Sequence, residues 1–431
     1  MNPQAEELNK VIQQKNPAVF EMLSEKGKNI FFPKKGILGQ TADAKGTKIN
    51  ATIGAAIEDD NSPMRLDAIA SKIGIDPSLA FPYAPSFGRP DIRSKWREMM
   101  YKKNPSLGAS PVSLPVVSNA LTHGVSMAGY LFMDEGEEII VPSLFWGNYN
   151  LILNNAYGTK ITTFNLFKND AFDLDSFKES LNKGGIGKKV LILNFPNNPS
   201  GYTPTLDEQD AIVAIVKEAA EKGNKIVAIT DDAYFGLVYE DGIATESIFA
   251  PLSQLHENVL AVKIDGPTKE DYVWGFRVGF ITYGIKEGTA ELYSALESKT
   301  AGAIRGNISN ASNLSQSLLI QAFEHEGYYE QKEAKFNIMK TRYDAVKEAL
   351  KDEKYSEYFT AIPYNSGYFM CVQLTEGIDG EEIRKLLIEK YSIGIINLNN
   401  VIRIAYSAVA AHDVKEMFEG IYAACKELKM V

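Results

Sequence analysis

Short β-branched runs alternate with stretches of helical periodicity through the middle of the chain. The predicted strands span residues 138–141, 160–164, 189–194, 225–230, 259–264 and 277–283. Between two of these strands, residues 206–222 place Ile212, Val216 and Ala219 on one apolar stripe. Because such alternation is typical of a mostly parallel sheet covered by helices on both faces, the sequence predicts a large, doubly wound α/β domain.

The pattern changes toward the C-terminus. Residues 314–351 predict one long helix, and a strand at 368–374 with helices at 380–390 and 412–428 predicts a smaller α+β unit. Gly and Pro residues are spread through the first ~60 positions and predict a loop-rich segment. We expect this segment to pack against the smaller unit. We therefore predict a large domain at 64–338 and a small domain made from both chain ends, 1–63 and 339–431.

Composition narrows the classes of function. The 45 basic and 55 acidic residues give a net charge of −10, and no run of five or more basic residues occurs, so nucleic acid is not expected as a partner. Two cysteines and four histidines without metal-ligand spacing predict neither a disulfide framework nor a metal site. The chain shows neither a signal peptide nor a run of 18 apolar residues, so we expect a cytoplasmic protein without a membrane partner.

One segment carries the strongest chemical signal. Residues 265–279 read DGPTKEDYVWGFRVG and place Lys269 just after a predicted strand, with Arg277 between two glycines eight positions later. The carboxyl ends of parallel strands are where open α/β sheets bind ligands. The segment resembles the lysine signature of the pyridoxal-phosphate-dependent aminotransferases (class I/II, fold type I, the aspartate aminotransferase superfamily). The resemblance implies that Lys269 forms a Schiff base with pyridoxal 5'-phosphate and that Arg277 pairs with its phosphate, although Gly266 replaces a frequent phosphate-binding hydroxyl.

Two further segments resemble the same family in the same chain order. Residues 194–201, NFPNNPSG, resemble its Asn-Pro-Thr-Gly turn, and residues 231–234, DDAY, resemble its Asp-x-Ala-Tyr segment. Pyridoxal phosphate acts as an electron sink only while its ring nitrogen stays protonated, and a carboxylate beside that nitrogen raises its proton affinity. The resemblance gives this role to Asp231. Asn198 and Tyr234 are then the expected donors to the phenolic oxygen of the cofactor.

The phosphate and the ring of the cofactor have candidate sites of their own. A β-branched run precedes residues 118–126, SNALTHGVS, so the N–H groups of Ala120, Leu121 and Thr122 are expected to converge on an anion at a helix N-terminus. In the family this turn holds the phosphate. Residues 146–149, WGNY, resemble the family's Trp-Gly-Asn-His stretch, which implies that Trp146 stacks on the pyridine ring; Tyr149 stands where the aspartate enzymes tend to have His.

The remaining matches concern the substrate and a second subunit. Arg403, on a predicted C-terminal strand, and Gly54 resemble the family's residues that bind the α-carboxylate of the substrate. Tyr83 resembles the tyrosine that reaches the cofactor phosphate of the neighbouring subunit. Arg305, four positions before Ser309, resembles the arginine that pairs across the subunit boundary with a side-chain carboxylate. A homodimer with composite active sites is therefore expected.

The resemblance extends from Gly54 to Arg403 and is closest to the aspartate/aromatic branch. It implies a fold-type-I transaminase that moves an amino group between an amino acid, expected to be aspartate or glutamate, and a 2-oxo acid. An aromatic amino acid aminotransferase and a pyridoxal-phosphate-dependent C–S/β-lyase stay open as alternatives, because one scaffold hosts several reactions. A catalytically silent, ligand-sensing relative is a third reading, opposed by the lack of a basic helix-turn-helix pattern in the first ~60 residues.

Overall fold

A seven-stranded sheet forms the centre of the computed structural model, which describes residues 1–30 and 36–429. Its strands in chain order are Val116–Ser118 (β1), Glu138–Pro142 (β2), Lys160–Phe164 (β3), Lys188–Leu193 (β4), Lys225–Asp231 (β5), Val259–Asp265 (β6) and Gly279–Gly284 (β7). Their spatial order is β1-β7-β6-β5-β4-β2-β3. Strand β7 runs antiparallel to both of its neighbours, whereas the other pairs are parallel. The predicted mostly parallel α/β sheet is confirmed.

Helices surround this sheet and connect its strands. Those of seven or more residues in the described part of the chain are Pro3–Lys15 (α1), Ile37–Asp43 (α2), Pro90–Lys103 (α3), Ala120–Phe132 (α4), Leu174–Asn182 (α5), Leu206–Glu221 (α6), Ala290–Asn307 (α7), Asn313–Phe323 (α8), Tyr328–Ala349 (α9), Gly380–Leu386 (α10) and Val414–Lys429 (α11). Shorter helices are Pro17–Met22, Glu25–Asn29, Asp67–Ala70, Pro77–Ala80, Phe249–Leu252 and Pro267–Glu270. None of the described helices combines the length and apolar character needed to cross a membrane.

Alternate residues of the central strands enter two separate apolar cores. Ile140, Leu191 and Ala228 pack in the core that includes residues of α5 and α6. Val141, Ile192 and Ile229 pack in the core that includes residues of α4. Because successive side chains of a strand point to opposite faces, both faces of this sheet are covered. Polar residues lie instead at the carboxyl ends of the strands, along one edge of the sheet.

A second sheet lies near the C-terminus. It is antiparallel, and its strands are Phe359–Ala361 (β8), Met370–Leu374 (β9), Ile396–Leu398 (β10) and Val401–Ile404 (β11), in the order β8-β9-β11-β10. The N-terminal part of the chain joins this region, since Ile49–Asn50 pairs in parallel with Ile393–Gly394. The predicted boundary at residue 338 lies inside α9, a continuous helix. The two-domain division stays a prediction.

Two expectations for the helices are wrong. The single helix expected at 314–351 is two helices, because α8 ends at Phe323 and α9 begins only after Gly327. The first ~60 residues are not loop-rich: α1 and several shorter helices occupy much of the segment. Helix α1 begins at Pro3 and its N-terminus is capped by Asn2, whose side chain accepts from the Gln4 N–H at 2.9 Å. Proline is well suited to the first turn of a helix. The proline that contributed to the prediction of a loop therefore begins a helix here.

Candidate active site

Three neighbouring parallel strands deliver polar residues to one edge of the sheet. Strand β5 ends at Asp231, β4 ends one residue before Asn194, and Lys269 follows the end of β6 by four residues. Strands β4, β5 and β6 are hydrogen-bonded neighbours. Because they are parallel, their carboxyl ends meet at the same edge, as the sequence predicts for a ligand site.

The carboxylate of Asp231 is buried, and only one of its two oxygens has a hydrogen-bond partner among the described residues. Its Oδ2 accepts a hydrogen bond from the Tyr149 hydroxyl at 2.5 Å, and its backbone oxygen accepts from Asn194 Nδ2 at 2.7 Å. Its Oδ1 is buried and has no hydrogen-bond partner among the described residues. Burial raises the pKa of Asp231, and the Tyr149 hydroxyl and Lys269 oppose that rise. An unpartnered buried carboxylate oxygen is costly, and a positively charged N–H donor would satisfy it.

The amine of Lys269 lies close to this carboxylate. Lys269 belongs to the short helix Pro267–Glu270, and its Nζ lies 5.0 Å from the centre of the Tyr234 ring. Burial lowers the pKa of Lys269 to about 8; Asp231 opposes this shift and Arg277 adds to it. A lysine with this pKa is partly unprotonated near neutral pH and can act as a nucleophile or a base.

Tyr234, Asn198 and Arg403 form a second buried group. Burial raises the pKa of Tyr234, and the nearby Arg403 guanidinium and Asn198 side chain oppose that rise. An Arg403 amino group lies 3.4 Å from Asn198 Oδ1, and the other donates to the Thr52 carbonyl at 2.9 Å. The Arg403 guanidinium also stacks 4.4 Å from the centre of the Phe369 ring.

Arg403 lacks a counter-ion. Its side chain is buried, its Nε has no hydrogen-bond partner, and no carboxylate of the described residues pairs with it. Burial lowers the pKa of Arg403, and Tyr234 and Cys371 oppose this shift; an arginine side chain nevertheless stays charged in a protein. Gly54 follows Thr52 by two residues, and a Cβ on Gly54 would lie 3.2 Å from the Phe369 ring. A buried guanidinium without an anion among the described residues, beside the half-buried segment at Gly54, is suited to bind a carboxylate from outside the chain.

The predicted anion turn is formed at the start of α4. Ala120 adopts a φ of +64°, and Asn119, the N-cap residue, makes no side-chain capping hydrogen bond. The turn packs tightly on β7, because a Cβ on Gly279 would lie 2.6 Å from the Ala120 carbonyl carbon and 2.9 Å from the Leu121 nitrogen. Arg277, two residues before Gly279, is exposed and has no ion-pair partner in the described part of the chain. The structure thus brings the turn, including Thr122, near the segment that carries Arg277.

Gly266 departs from the family pattern for a steric reason. A Cβ at this position would lie 2.9 Å from the Val278 carbonyl oxygen and 3.0 Å from the Gly279 Cα. Real Cβ atoms do not approach backbone atoms this closely, so no hydroxyl-bearing side chain fits here without a shift of β7. The frequent phosphate-binding hydroxyl is therefore absent because strand and turn approach too closely.

Trp146 is partly buried at the mouth of a cleft. Its ring packs edge-on against Tyr149, with ring centres 5.6 Å apart. Trp146 and Asn198 both line a cleft of about 1230 Å³ that N-terminal residues such as Gln40 also line. The position of Trp146 is compatible with the face of a planar ligand, but its stacking role stays a prediction.

Tyr83 and Arg305 stand apart from this cluster. Tyr83 is 91% exposed, and Arg305 is exposed near the end of α7, where it donates to Ser309 Oγ at 3.3 Å. Their segments are adjacent, because the Ser86 hydroxyl donates to the Ser309 carbonyl at 2.8 Å. No described contact joins either side chain to Lys269, Asp231 or Arg403 within one chain. Their predicted roles therefore depend on a second subunit.

Tyr149 is the functional residue that sequence reasoning missed. Its position three residues after Trp146 was visible as a departure from the family pattern, but nothing in the sequence identifies the acceptor of its hydroxyl. The hydroxyl is fully buried and donates to Asp231 across 82 residues of chain. A buried tyrosine oxygen requires a partner, which is the only signal that could have led to Asp231.

Comparisons with known proteins agree with this geometry. A family model described as "Aminotransferase class I and II" matches residues 52–421. An aspartate aminotransferase of Bacillus sp. (strain YM-2) is 26% identical over 247 residues, which cover 56% of this chain and 56% of that protein. An aromatic-amino-acid aminotransferase of Thermococcus litoralis is 24% identical over 242 residues, 55% of this chain and 58% of its own length. The chain thus matches little more than half the length of these curated relatives.

Solved structures match over nearly the whole chain. An aminotransferase from Anaerococcus prevotii superposes with a TM-score of 0.83 at 25% identity and covers 94% of this chain and 99% of its own. The cytoplasmic aspartate aminotransferase of Saccharomyces cerevisiae superposes with a TM-score of 0.77 at 19% identity, over 96% and 100% of the two chains. At 19% identity the second likeness supports the fold alone.

Proposed function

Because the chain belongs to the class I and II aminotransferases, we propose that it transfers an amino group between an amino acid and a 2-oxo acid. Members of this family use pyridoxal 5'-phosphate, which supplies an electron sink for the electrons of the substrate α-carbon when it is bound. The observation that carries the proposal is the buried cluster of Lys269, Asp231 and Arg403. It combines an amine with a lowered pKa, an unpartnered carboxylate oxygen and a guanidinium without a counter-ion.

The residues present fit the cofactor. Asp231 Oδ1 would accept from the protonated pyridine nitrogen, which would supply the partner that this buried atom lacks. Asn198 and Tyr234 would donate to the phenolic oxygen, and Trp146 would cover the ring. The phosphate would be bound by Arg277 together with the backbone N–H groups of Ala120, Leu121 and Thr122.

The protein's own groups then divide the chemistry. Lys269 Nζ binds the cofactor and, once its amine is free, moves a proton to and from the substrate α-carbon. Arg403 binds the substrate carboxylate, and the backbone at Gly54 closes over the same group. Burial, which lowers the pKa of Lys269 to about 8, favours the uncharged amine that this proton transfer needs.

A half-reaction tests the proposal. The protein loaded with pyridoxal phosphate is incubated with an amino acid that lacks a leaving group, and pyridoxamine phosphate is measured. The product should form with the wild type and be absent with Lys269→Ala, which should keep the wild-type unfolding temperature because the amine occupies a ligand cleft. If no amino acid and 2-oxo acid pair yields the product, while a substrate with a β-leaving group is cleaved, the lyase alternative is correct.

The proposed substrates are aspartate and glutamate, with 2-oxoglutarate or oxaloacetate as acceptor. Arg305 is exposed and unpaired with any carboxylate of the described residues, so it is available to a side-chain carboxylate in a dimer. Arg305→Ala should lower kcat/KM for aspartate about 10- to 100-fold and leave phenylalanine nearly unchanged, as expected for one charge-assisted hydrogen-bonded pair. An equal loss for both substrates would contradict this role.

The proposed assembly is a homodimer with composite active sites. The large exposed aromatic Tyr83, beside Phe81 at 86% exposure, supports a covered surface at this loop. The proposed location is cytoplasmic, and the two free, buried cysteines are compatible with a reducing compartment.

A further inference from the structure

A buried set of charges lies immediately after Lys269. Glu270 is the last residue of the short helix Pro267–Glu270, and Asp271 follows it. The Glu270 carboxylate accepts from Lys103 Nζ at 3.0 Å and from Lys332 Nζ at 2.8 Å. The Asp271 side chain is fully buried, and its Oδ1 lies 3.0 Å from Lys332 Nζ. Two carboxylates are thus matched by two ammonium groups.

The two cations come from different elements. Lys103 is the last residue of α3, and Lys332 lies in the first turns of α9. Lys103 Nζ also lies 4.3 Å from the centre of the Trp96 ring, and the Tyr328 hydroxyl donates to Asp271 Oδ1 at 2.6 Å. The residues after Lys269 are therefore attached to two helices, α3 and α9.

The backbone around Lys269 needs such anchors. A helix of four residues is too short to hold itself in place, and Tyr272 just beyond it adopts a φ of +58°. Neighbouring positions on a helix point in different directions, so Glu270 can bind Lys103 and Lys332 while the Lys269 amine lies over the Tyr234 ring. On the side of the small sheet, the Tyr368 hydroxyl donates to the Lys269 carbonyl at 3.0 Å.

We propose that Lys332 and Lys103 are positioning residues for Lys269 and act through the carboxylates of Glu270 and Asp271. The inference rests on the proposed function, because it assigns the network to the placement of the reactive amine. The described hydrogen bonds and ion pairs of these two lysines do not include Lys269, Asp231 or Arg403. If the cation at 332 is lost, Glu270 keeps only its ion pair with Lys103, and Asp271 has no ion-pair partner left among the described residues, so a buried carboxylate must take up a proton or move toward solvent. Either response displaces the turn that carries Lys269.

The test measures how fast the apo-protein attaches pyridoxal phosphate covalently, followed by absorbance and calibrated with Lys269→Ala as the blank. Lys332→Met should slow attachment about 10- to 100-fold, because a displacement near 1 Å has effects of that size on positioned groups. Lys332→Arg keeps the charge and should restore the rate to within about threefold of wild type. The matched control is Lys340→Met on the same helix, which removes only the exposed 2.7 Å pair with Asp344 and should change nothing.

Thermal unfolding of each apo-protein separates positioning from general destabilisation. If Lys332→Met does not fold, Tyr328→Phe decides, since it keeps both charges and removes one donor to Asp271; it should slow attachment in the same direction. Wild-type attachment rates in the folded variants would overturn the inference, as would equal slowing by Lys332→Met and Lys332→Arg. A wild-type protein that attaches no cofactor would instead refute the proposed function, and this inference with it.

Discussion

At the scale of single residues, the candidate site depends on how one carboxylate is held. Tyr149 donates to Oδ2 of Asp231 and leaves Oδ1 free, so the carboxylate has one anchored and one available oxygen. Burial alone would favour the protonated acid, and the tyrosine hydroxyl and the Lys269 amine counteract it. Tyr149 therefore helps to keep Asp231 ionised, which its proposed role requires.

We expect Tyr149→Phe to move the acid limb of the kcat/KM profile to higher pH. The hydroxyl lowers the pKa of Asp231, so its removal raises that pKa, and Asp231 becomes protonated and inactive at a higher pH than in the wild type. A hydrogen bond to a charged group contributes about 1.5–3 kcal/mol, which corresponds to a shift of about one to two pH units. The measurement is kcat/KM against pH, which reports on the free enzyme.

Tyr157→Phe is the matched control for that experiment. The Tyr157 hydroxyl is hydrogen-bonded to Ser126 Oγ at 2.9 Å and makes no contact with Asp231, so its removal should leave the profile in place. An unshifted acid limb in Tyr149→Phe would show that the hydroxyl does not hold the charge of Asp231.

Sequence reasoning reached Lys269, Asp231 and Arg403 because each stands in a local pattern of neighbours. It did not reach the partners of these residues. Tyr149 meets Asp231, and Lys332 meets Glu270, across 82 and 62 residues of chain, and such contacts depend on the assembled sheet and helices rather than on local spacing. The side chains proposed to bind were thus reached from local sequence, whereas their contact partners in the fold were not.

At the scale of elements, the anion turn depends on close packing between α4 and β7. Gly279 begins β7, and the space of its missing side chain is occupied by the backbone of Ala120 and Leu121. Gly279, two residues after Arg277 in the lysine segment, therefore has a structural reason: it lets the arginine segment approach the turn.

The predicted strands were confirmed to within one or two residues because β-branched runs buried on both faces are a strong signal.

Helix boundaries were less predictable than strands. Apolar periodicity continues through residues 314–351. The helix nevertheless stops at Phe323, and residues 324–327 form a turn before α9 begins. Periodicity reports which residues face a core, and it does not report where the axis of a helix changes direction.

Gly279→Ala should weaken pyridoxal phosphate binding about tenfold. An added methyl group would lie 2.6 Å from Ala120, so the turn or the strand must move, and overpacking of this kind costs about 1–3 kcal/mol. The measurement is a titration of the apo-protein with the cofactor. Gly302→Ala is the control, because a Cβ there, on α7, meets open space, and its affinity should match the wild type. Equal dissociation constants for all three proteins would contradict the packing argument.

At the scale of the whole molecule, one chain assembles only part of the proposed site. Both ends of the chain contribute to it, since Thr52 and Arg403 meet the residues of the large sheet at Asn198. Tyr83 and Arg305, by contrast, are exposed, lie on adjacent segments, and have no described contact with Lys269, Asp231 or Arg403 of the same chain. The sequence predicts this division through the family resemblance alone, because no local pattern distinguishes a residue that acts on its own chain from one that acts on a neighbour.

Mixed dimers test that division directly. Lys269→Ala and Tyr83→Ala homodimers should each be nearly inactive, because every site lacks either the reactive amine or the phosphate-binding tyrosine. If Tyr83 acts on the neighbouring subunit, a mixed dimer has one site with both defects and one site with neither. Random exchange between equal amounts of the two variants makes half of all dimers mixed. Because each mixed dimer has one intact site of two, activity should recover to about a quarter of the wild-type value. If Tyr83 acts within its own chain, every site in every dimer keeps a defect. Mixing after mild dissociation would then restore no activity, and the composite site would be excluded.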